Sequence, residues 1–288
     1  MSGSKHQLKH KLKNQPKYQA KNQQGFTLIE LVTVIVILGV LATGISSFLR
    51  FGTQSYTHAV DRDAVISSAR FVVERLNREV RNALPNSIRT NGDKNQCLEF
   101  VPIDKSVVYL DIPVAPEAPS NSIDVLMLQG DLSSTTQYVA VYALNSEDIY
   151  NQEAGVIEEF STVANSGFRD VPSTISFANS VSFKEESPTE RLYLIGSPVS
   201  YCVEGQAIYR YQTYGFGPYN SNGTPNSNTD PEKVLMAEYV DNYAVTEFPF
   251  QTTPATLQRN GLALIRLKFA RNLEDIVFNN EIQVPNVP

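Results

Sequence analysis

Glu30 is the one charged side chain among residues 25–49, in the run GFTLIELVTVIVILGVLATGISSFL. An isolated carboxylate in hydrocarbon costs roughly 2.5–3.5 kcal/mol at mid-membrane and less near an edge. Such a position asks for a cation. A cut between Gly25 and Phe26 supplies one, because it creates an amino terminus within about one helical turn of the acid. Within one helix the amine and the carboxylate are held along the same axis and meet poorly. Between neighbouring helices, Glu30 of one can accept the amine of the next. The chemistry on offer is charge neutralisation inside an apolar bundle, with no turnover.

Other chemistry-bearing residues are sparse. Histidine occurs as His6, His10 and His58; loss of the first 25 residues leaves His58 alone, which excludes a histidine-based triad. There is no G-x-S-x-G elbow, no H-E-x-x-H pair and no phosphate-binding glycine loop followed by lysine. The neighbouring acids Glu158-Glu159 and Glu185-Glu186 read as solvated faces before they read as a glycosidic pair. Residues 220–231 form an Asn-, Ser- and Thr-rich loop whose only carboxylate is Asp230, too few acids for a calcium loop. The expectation is therefore no catalytic residue, no metal and no cofactor. Just before that loop, Tyr214, Phe216 and Tyr219 stand on a Gly- and Pro-containing tract, either as a contact surface or as packing for their own sheet. Cys97 and Cys202 are the only thiols. A disulfide is the economical reading for an exported segment, and two unrelated buried thiols are the alternative.

The elements that must position these groups follow from charge and periodicity. Residues 1–25 hold six lysines and no acid, a basic leader of +6, while the remaining 263 residues carry −12. That balance argues against a nucleic-acid partner. Residues 26–49 as a helix span about 36 Å, enough to cross the ~30 Å hydrocarbon core of the inner membrane. The lysines stay cytoplasmic by the positive-inside rule and put the rest outside, in a single pass. A secretory signal peptide fits less well, since the run is long and broken by Glu30; a plain uncleaved anchor is the other rival. Over residues 50–84 the helix continues as an amphipathic one, with Val60, Ala64, Phe71, Val72, Leu76 and Val80 forming its apolar stripe until Pro85 stops it. Gly39, Gly44 and Gly52 permit bending or close helix contact, or are small residues tolerated in a membrane segment.

From residue 85 to 288 the pattern is strand and turn, a β-rich globular head. Strands are expected at 98–101, 107–112, 123–128, 138–144, 191–195, 199–203, 207–211, 234–237, 244–248, 262–270 and 281–284, with a hairpin turn at Gly205-Gln206 and a short helix over 149–160. The fold class is α+β: one long N-terminal helix on an antiparallel sheet.

The residues Gly25-Phe26-Thr27-Leu28-Ile29-Glu30-Leu31 resemble the prepilin cleavage and methylation motif of type IV pilins and type II secretion pseudopilins. The resemblance implies that a membrane prepilin peptidase cuts after Gly25 and N-methylates Phe26. It also implies that Glu30 neutralises the Phe26 amine of a neighbouring subunit as a pilus grows from an inner-membrane assembly platform. The sheet residues Arg191-Leu192-Tyr193-Leu194, Val199-Ser200-Tyr201-Cys202 and Ala207-Ile208-Tyr209-Arg210 are similar to those of larger minor pilins and J-type pseudopilins. The ending Glu281-Ile282-Gln283-Val284-Pro285-Asn286-Val287-Pro288 resembles that of minor prepilins of the MSHA pilus system. A head of about 205 residues, with a radius of gyration near ~17 Å, would crowd a thin filament if every subunit carried one. The resulting expectation is a non-catalytic minor pilin that helps start or cap a surface-attachment fibre. Its partners would be the major pilin and other minor pilins. The rivals are a secretion pseudopilin and a tip adhesin.

Overall fold

A computed structural model describes residues 25–126, 130–164, 171–217, 219, 223–226, 232–242, 248–255, 259–272 and 274–284. It divides into two compact units, residues 1–55 and 56–288. The long helix α1 (Leu28–Arg81) runs through both. In the first unit its side chains are exposed on every face, and this stretch is long and apolar enough to cross a membrane. Thr33 and Thr43 turn their hydroxyls back onto the carbonyls of Glu30 and Val40 at 2.9 and 2.8 Å. They thereby satisfy themselves without a partner outside the helix. A Cβ built at Gly39, Gly44 or Gly52 meets nothing within 4 Å, so no contact among the described residues requires these glycines.

In the second unit α1 buries Val65, Ala69, Val72, Leu76 and Val80, spaced three and four apart so that they share one face. The stripe differs from the expected one. Val60 and Phe71 are exposed, because Phe71 sits one residue, about 100° of rotation, from Val72. The helix ends at Arg81, and the chain then bridges Ala83 to Pro102.

The head begins with β1 (Arg89–Asn91) and β2 (Cys97–Phe100). Next come β3 (Ile103–Asp111), β4 (Ser120–Val125), β5 (Tyr138–Val141), the short helix α2 (Ser146–Tyr150), β6 (Ile157–Ala164), β7 (Ser173–Val181) and β8 (Arg191–Ile195). Then follow β9 (Val199–Glu204), β10 (Ala207–Gln212), β11 (Glu232–Glu238), β12 (Phe250–Thr253), β13 (Gly261–Arg271) and β14 (Glu274–Val284). One sheet has the order β1-β2-β9-β10-β11 and a second the order β12-β13-β14. Both pack their apolar faces on the α1 stripe: Leu98, Tyr201, Ile208, Phe250, Ile265 and Ile282 all join that core.

The remaining strands close into an antiparallel barrel, β3-β4-β7-β6-β5-β8, filled by its own apolar cluster around Val125, Val139, Ile175, Phe177 and Leu194. A barrel was not foreseen, and its placement is informative. β2 pairs directly with β9, with Cys97 opposite Cys202 and Phe100 opposite Val199. The whole barrel is thus an insertion between two neighbouring strands of the helix-facing sheet. The Cys97–Cys202 disulfide, with Cα atoms 4.1 Å apart, ties those strands across 105 positions of sequence.

The helix expected over 149–160 is not there. α2 ends at Tyr150, and Gln152 and Gly155 turn to φ values of 49° and 79°. A Cβ at Gly155 would also lie 2.8 Å from the Ser182 carbonyl, so the chain turns there and continues as β6. Strands β1, β6, β7 and β12 were not expected from the sequence. The strand expected at 244–248 falls, apart from Phe248, outside the described residues. The Gly205-Gln206 turn joins β9 to β10 as expected, with Gly205 at φ 58°.

The stripe yields a sharp contrast. Leu76→Ala should lower the unfolding free energy by about 2–5 kcal/mol, whereas Phe71→Ala should change it by no more than about 0.5 kcal/mol. Guanidinium unfolding of the full chain in detergent, followed by tyrosine fluorescence, measures both. Equal losses would return Phe71 to the buried face.

Candidate functional site

The N-terminal motif lies at the start of α1. Gly25, Phe26 and Thr27 precede the first helical residue, Leu28, and all are exposed. Thr27 caps the helix reciprocally with Glu30. The Glu30 amide donates to the Thr27 hydroxyl at 3.4 Å, and the Thr27 amide donates to the Glu30 carboxylate at 3.5 Å. Both bonds are long, yet the pattern is a capping box, Thr-x-x-Glu. A negative side chain in the first turn also complements the helix dipole. The carboxylate therefore reaches backward along its own helix as far as residue 27, next to Phe26. The sequence reading gave Glu30 an assembly role and missed this local one, although the Thr27-Leu28-Ile29-Glu30 spacing carries the signal. Residues 1–24, with the lysine-rich leader, lie outside the described residues.

The disulfide sits beside a polar cluster that the sequence reading did not single out. Glu99 is buried in β2, where it accepts from Arg89 at 2.5 Å, from Asn91 at 3.1 Å and from the Tyr214 hydroxyl at 2.8 Å. Ser200 joins the Tyr214 and Tyr219 hydroxyls at 2.6 Å each, and the Arg89 guanidinium stacks 3.4 Å from the Tyr150 ring centroid. Burial pushes the Glu99 carboxyl above its ordinary value against the opposing pull of Arg89. Burial likewise raises Tyr150 and Tyr214, with the Glu99 charge adding to it. The readable signal was the acid itself, set between Leu98 and Phe100 in an apolar strand.

This cluster decides how the 214–219 tract is used. Tyr214 is buried, and Phe216 meets Tyr138 edge-on at 5.3 Å. Tyr219 turns its hydroxyl onto Ser200. Tyr214 and Tyr219 thus bond to the sheet through Ser200, Phe216 packs on Tyr138 and Tyr150, and Phe216 and Tyr219 stay half-buried. Of the polar loop at 220–231, only residues 223–226 are described.

A second charged group ties α1 to the sheet. Glu79 accepts from Arg75 at 2.8 Å and from Arg210 of β10 at 3.0 Å, beside the buried Tyr201 hydroxyl, whose pKa burial and the Glu79 charge raise. At the other end of this stretch of helix, Asp61 pairs with Arg271 at 3.0 Å and accepts from Asn272 at 2.8 Å. Among the described residues no group of three or more His, Cys, Asp or Glu side chains is placed to hold a metal ion.

Residues 20–46 match a family described as "Prokaryotic N-terminal methylation motif". The matched segment spans Gly25, Phe26 and Glu30, so the chain carries a prepilin-type motif, which supports a type IV pilin or pseudopilin affiliation. Together with the apolar helix, the match supports a membrane-anchored protein of that kind. The motif further implies processing by prepilin peptidase and assembly with other pilins. No curated protein and no solved structure matches the chain.

Glu79 carries a pH dependence of fixed sign. Burial raises its carboxyl, but the Arg75 hydrogen bond and the Arg210 charge outweigh burial and hold it below the ordinary 4.5. Its contribution to stability is therefore present above the unfolded value and is lost as pH falls through the folded one. Glu99, raised in the fold, acts in the opposite sense. Glu79→Gln should lower the unfolding midpoint at pH 7, and the gap from wild type should close as pH drops below about 4.5. A gap that stays constant down to pH 2 would show that the Glu79 charge contributes nothing.

Proposed function

We propose that this chain is a minor type IV pilin, a non-catalytic subunit that helps initiate or cap a surface-attachment pilus of the MSHA type. The observation that carries the reading is a lone carboxylate, Glu30, one turn past Gly25-Phe26 at the mouth of an apolar helix whose side chains are exposed on every face among the described residues. In this reading residues 1–25 are a cleaved leader, 26–49 the membrane and filament-core segment, 50–84 its amphipathic continuation and 85–288 the periplasmic head. Prepilin peptidase cuts at Gly25–Phe26 and methylates Phe26. The helix then leaves the inner membrane through the assembly platform and docks against other minor pilins and the major pilin.

The finer likeness to MshO of the MSHA system rests on the ending, of which residues 285–288 lie outside the described residues, while the β8–β10 residues resemble larger minor pilins in general. A J-type secretion pseudopilin would use the same physics, and neighbouring genes separate the two. The tip-adhesin alternative, which places a ligand on the Tyr214 to Tyr219 loop or a neighbouring surface, keeps the half-buried Phe216 and Tyr219 but not Tyr214, which is buried.

N-terminal sequencing of the mature protein should begin at methylated Phe26, and a chain that polymerises with its leader attached contradicts the reading. Two substitutions separate charge from capping. Glu30→Gln keeps an acceptor for the Thr27 amide, since glutamine also serves in capping boxes, but removes the charge; Glu30→Ala removes both. Both variants should insert in the membrane and fail to enter fibres. Normal piliation by Glu30→Gln would reduce Glu30 to a helix cap.

A further inference from the structure

β14 is an outer strand of the sheet β12-β13-β14. Its eleven residues pair with β13 without a register shift, and the Asn280 amide fastens it to α1 by donating to the Asn77 side chain at 2.8 Å. Along its other side no strand pairs with it among the described residues, which leaves a row of backbone N–H and C=O groups to water. Proteins ordinarily blunt such an edge by keeping it short, or with lysine, proline or a bulge. The other strands follow that rule. The barrel is closed, β1 and β12 have three and four residues, and β11 carries Lys233 and a register shift against β10. β14 has none of these devices. It also leaves part of the core unfinished, since Ile276 and Phe278 pack against the α1 cluster yet stay half-buried.

An edge of this kind binds by strand addition, in which main-chain hydrogen bonds supply affinity and alternate side chains supply specificity. The β14 side chains define the strand that fits. Ile276, Phe278 and Ile282 face the core, so an added strand covers their open flank with apolar residues. Asp275, Val277, Asn279, Glu281 and Gln283 form the exposed row. With Glu274, the two acids of that row give β14 a charge of −3 and no base to offset it. None of the three acids has a side-chain partner among the described residues. Residues directly opposite one another on paired strands stand about 5 Å apart, so a cation set against Asp275 or Glu281 acts at short range. The β13 cations Arg266 and Lys268 stand two strand spacings from the same partner, about 10 Å, which is a full screening length at physiological salt. Lys268 is moreover paired with Asp241 at 3.2 Å. The near acids outweigh the far cations, and a second copy of β14 would bring −3 against −3. We propose that β14 takes up a basic extended segment of a partner protein as an added strand, with apolar residues on one face and lysine or arginine opposite Asp275 and Glu281 on the other. The proposal rests on this edge and does not depend on the assembly reading, so failure of one leaves the other standing.

The probe is a peptide of eleven residues, the length of β14, that alternates valine with threonine and carries lysine in place of two threonines spaced as Asp275 and Glu281 are. It bears a neutral dye, and its fluorescence anisotropy is followed as the full chain is added in zwitterionic detergent. The lysine peptide should bind, while its glutamate counterpart and a scrambled peptide of the same composition should not. Backbone N-methylation separates strand addition from charge attraction, because only one edge of the peptide faces β14. Methylating alternate residues in one phase should abolish binding, and in the other phase should leave it within about threefold. Asp275→Lys combined with Glu281→Lys should weaken the lysine peptide about tenfold and admit the glutamate peptide, with the unfolding midpoint unchanged because both side chains are exposed. Should that double variant fail to fold, the two N-methylated peptides decide on the unaltered chain. No binding of the lysine peptide, equal binding of the lysine and glutamate peptides, the same result from both N-methylated phases, or undiminished binding by the double variant would each overturn the proposal.

Discussion

The pairing of β2 with β9 is the constraint on which the head depends. Four residue pairs, from Cys97–Cys202 to Phe100–Val199, place the two halves of the helix-facing sheet side by side, and the disulfide makes that adjacency covalent. In the chain-entropy account, cross-linking a loop of about a hundred residues stabilises by roughly 4.7 kcal/mol through the unfolded state. The fold then needs nothing from the intervening chain except that its ends come back together. Loop-closure entropy grows only logarithmically with length, so a whole barrel can occupy a place where a short turn would suffice. The barrel's separate apolar cluster fits this. So does the smaller cluster of Leu84, Val101, Ile149, Tyr150 and Ile195, which seats the barrel against the end of α1.

Charge divides along the same boundary. Residues 103–195 hold fourteen acids against four bases, a net −10, out of −12 for residues 26–288. The helix and helix-facing sheets therefore carry only −2. In the proposed assembly, a surface that packs against copies or relatives of itself would gain from being nearly neutral, because like charges brought together oppose association. The acidic load sits on the inserted barrel segment, residues 103–195. Arg210 and Arg271, the cations that pair with α1 from its sheets, both lie outside the barrel.

What was legible in the sequence follows from the kind of signal each element sends. β8, β9, β10 and β13 are dense in β-branched and aromatic residues, and their expected bounds fall within two residues of those observed. β7 reads Ser-Thr-Ile-Ser-Phe-Ala-Asn-Ser-Val; its outward positions are small and polar, so propensity alone reports a loop, while closure of the barrel supplies the missing stability. β6 misled in another way. Ile149, Tyr150, Val156, Ile157 and Phe160 approximate helical spacing, and only the left-handed turn at Gln152 and Gly155 breaks the period. Along α1 the expected stripe holds at Val72, Leu76 and Val80 and fails at Val60 and Phe71, since Phe71 and Val72 are neighbours in sequence and only one of them can face the sheet. Glu99 was missed because its meaning is tertiary: Arg89, Tyr214 and Ser200 converge on it only after β1, β9 and the 214–219 tract have come together.

Glu30 raises the question of whether a helix cap and an intermolecular charge partner are compatible in one side chain. They are, because an ionised carboxylate offers about four lone-pair directions and the cap uses one of them, in a bond of 3.5 Å. The cap fixes where the charge points, back toward residue 27, and leaves it almost fully available. The surrounding helix makes that availability consequential. Thr33 and Thr43 bond to their own backbone, and the rest of the exposed surface from Leu31 to Leu49 is apolar or small. Glu30 is thus the one charged group among residues 25–49, and an apolar environment cannot replace its solvation. An ammonium presented at the same depth by an adjoining helix lowers the free energy of just one alignment of the two. Shifting the register by a turn in either direction leaves the acid in hydrocarbon without a cation, at a cost of several kcal/mol. Apolar packing alone grades such shifts weakly, so in the proposed assembly the single carboxylate would set the register of the helices as well as their attraction.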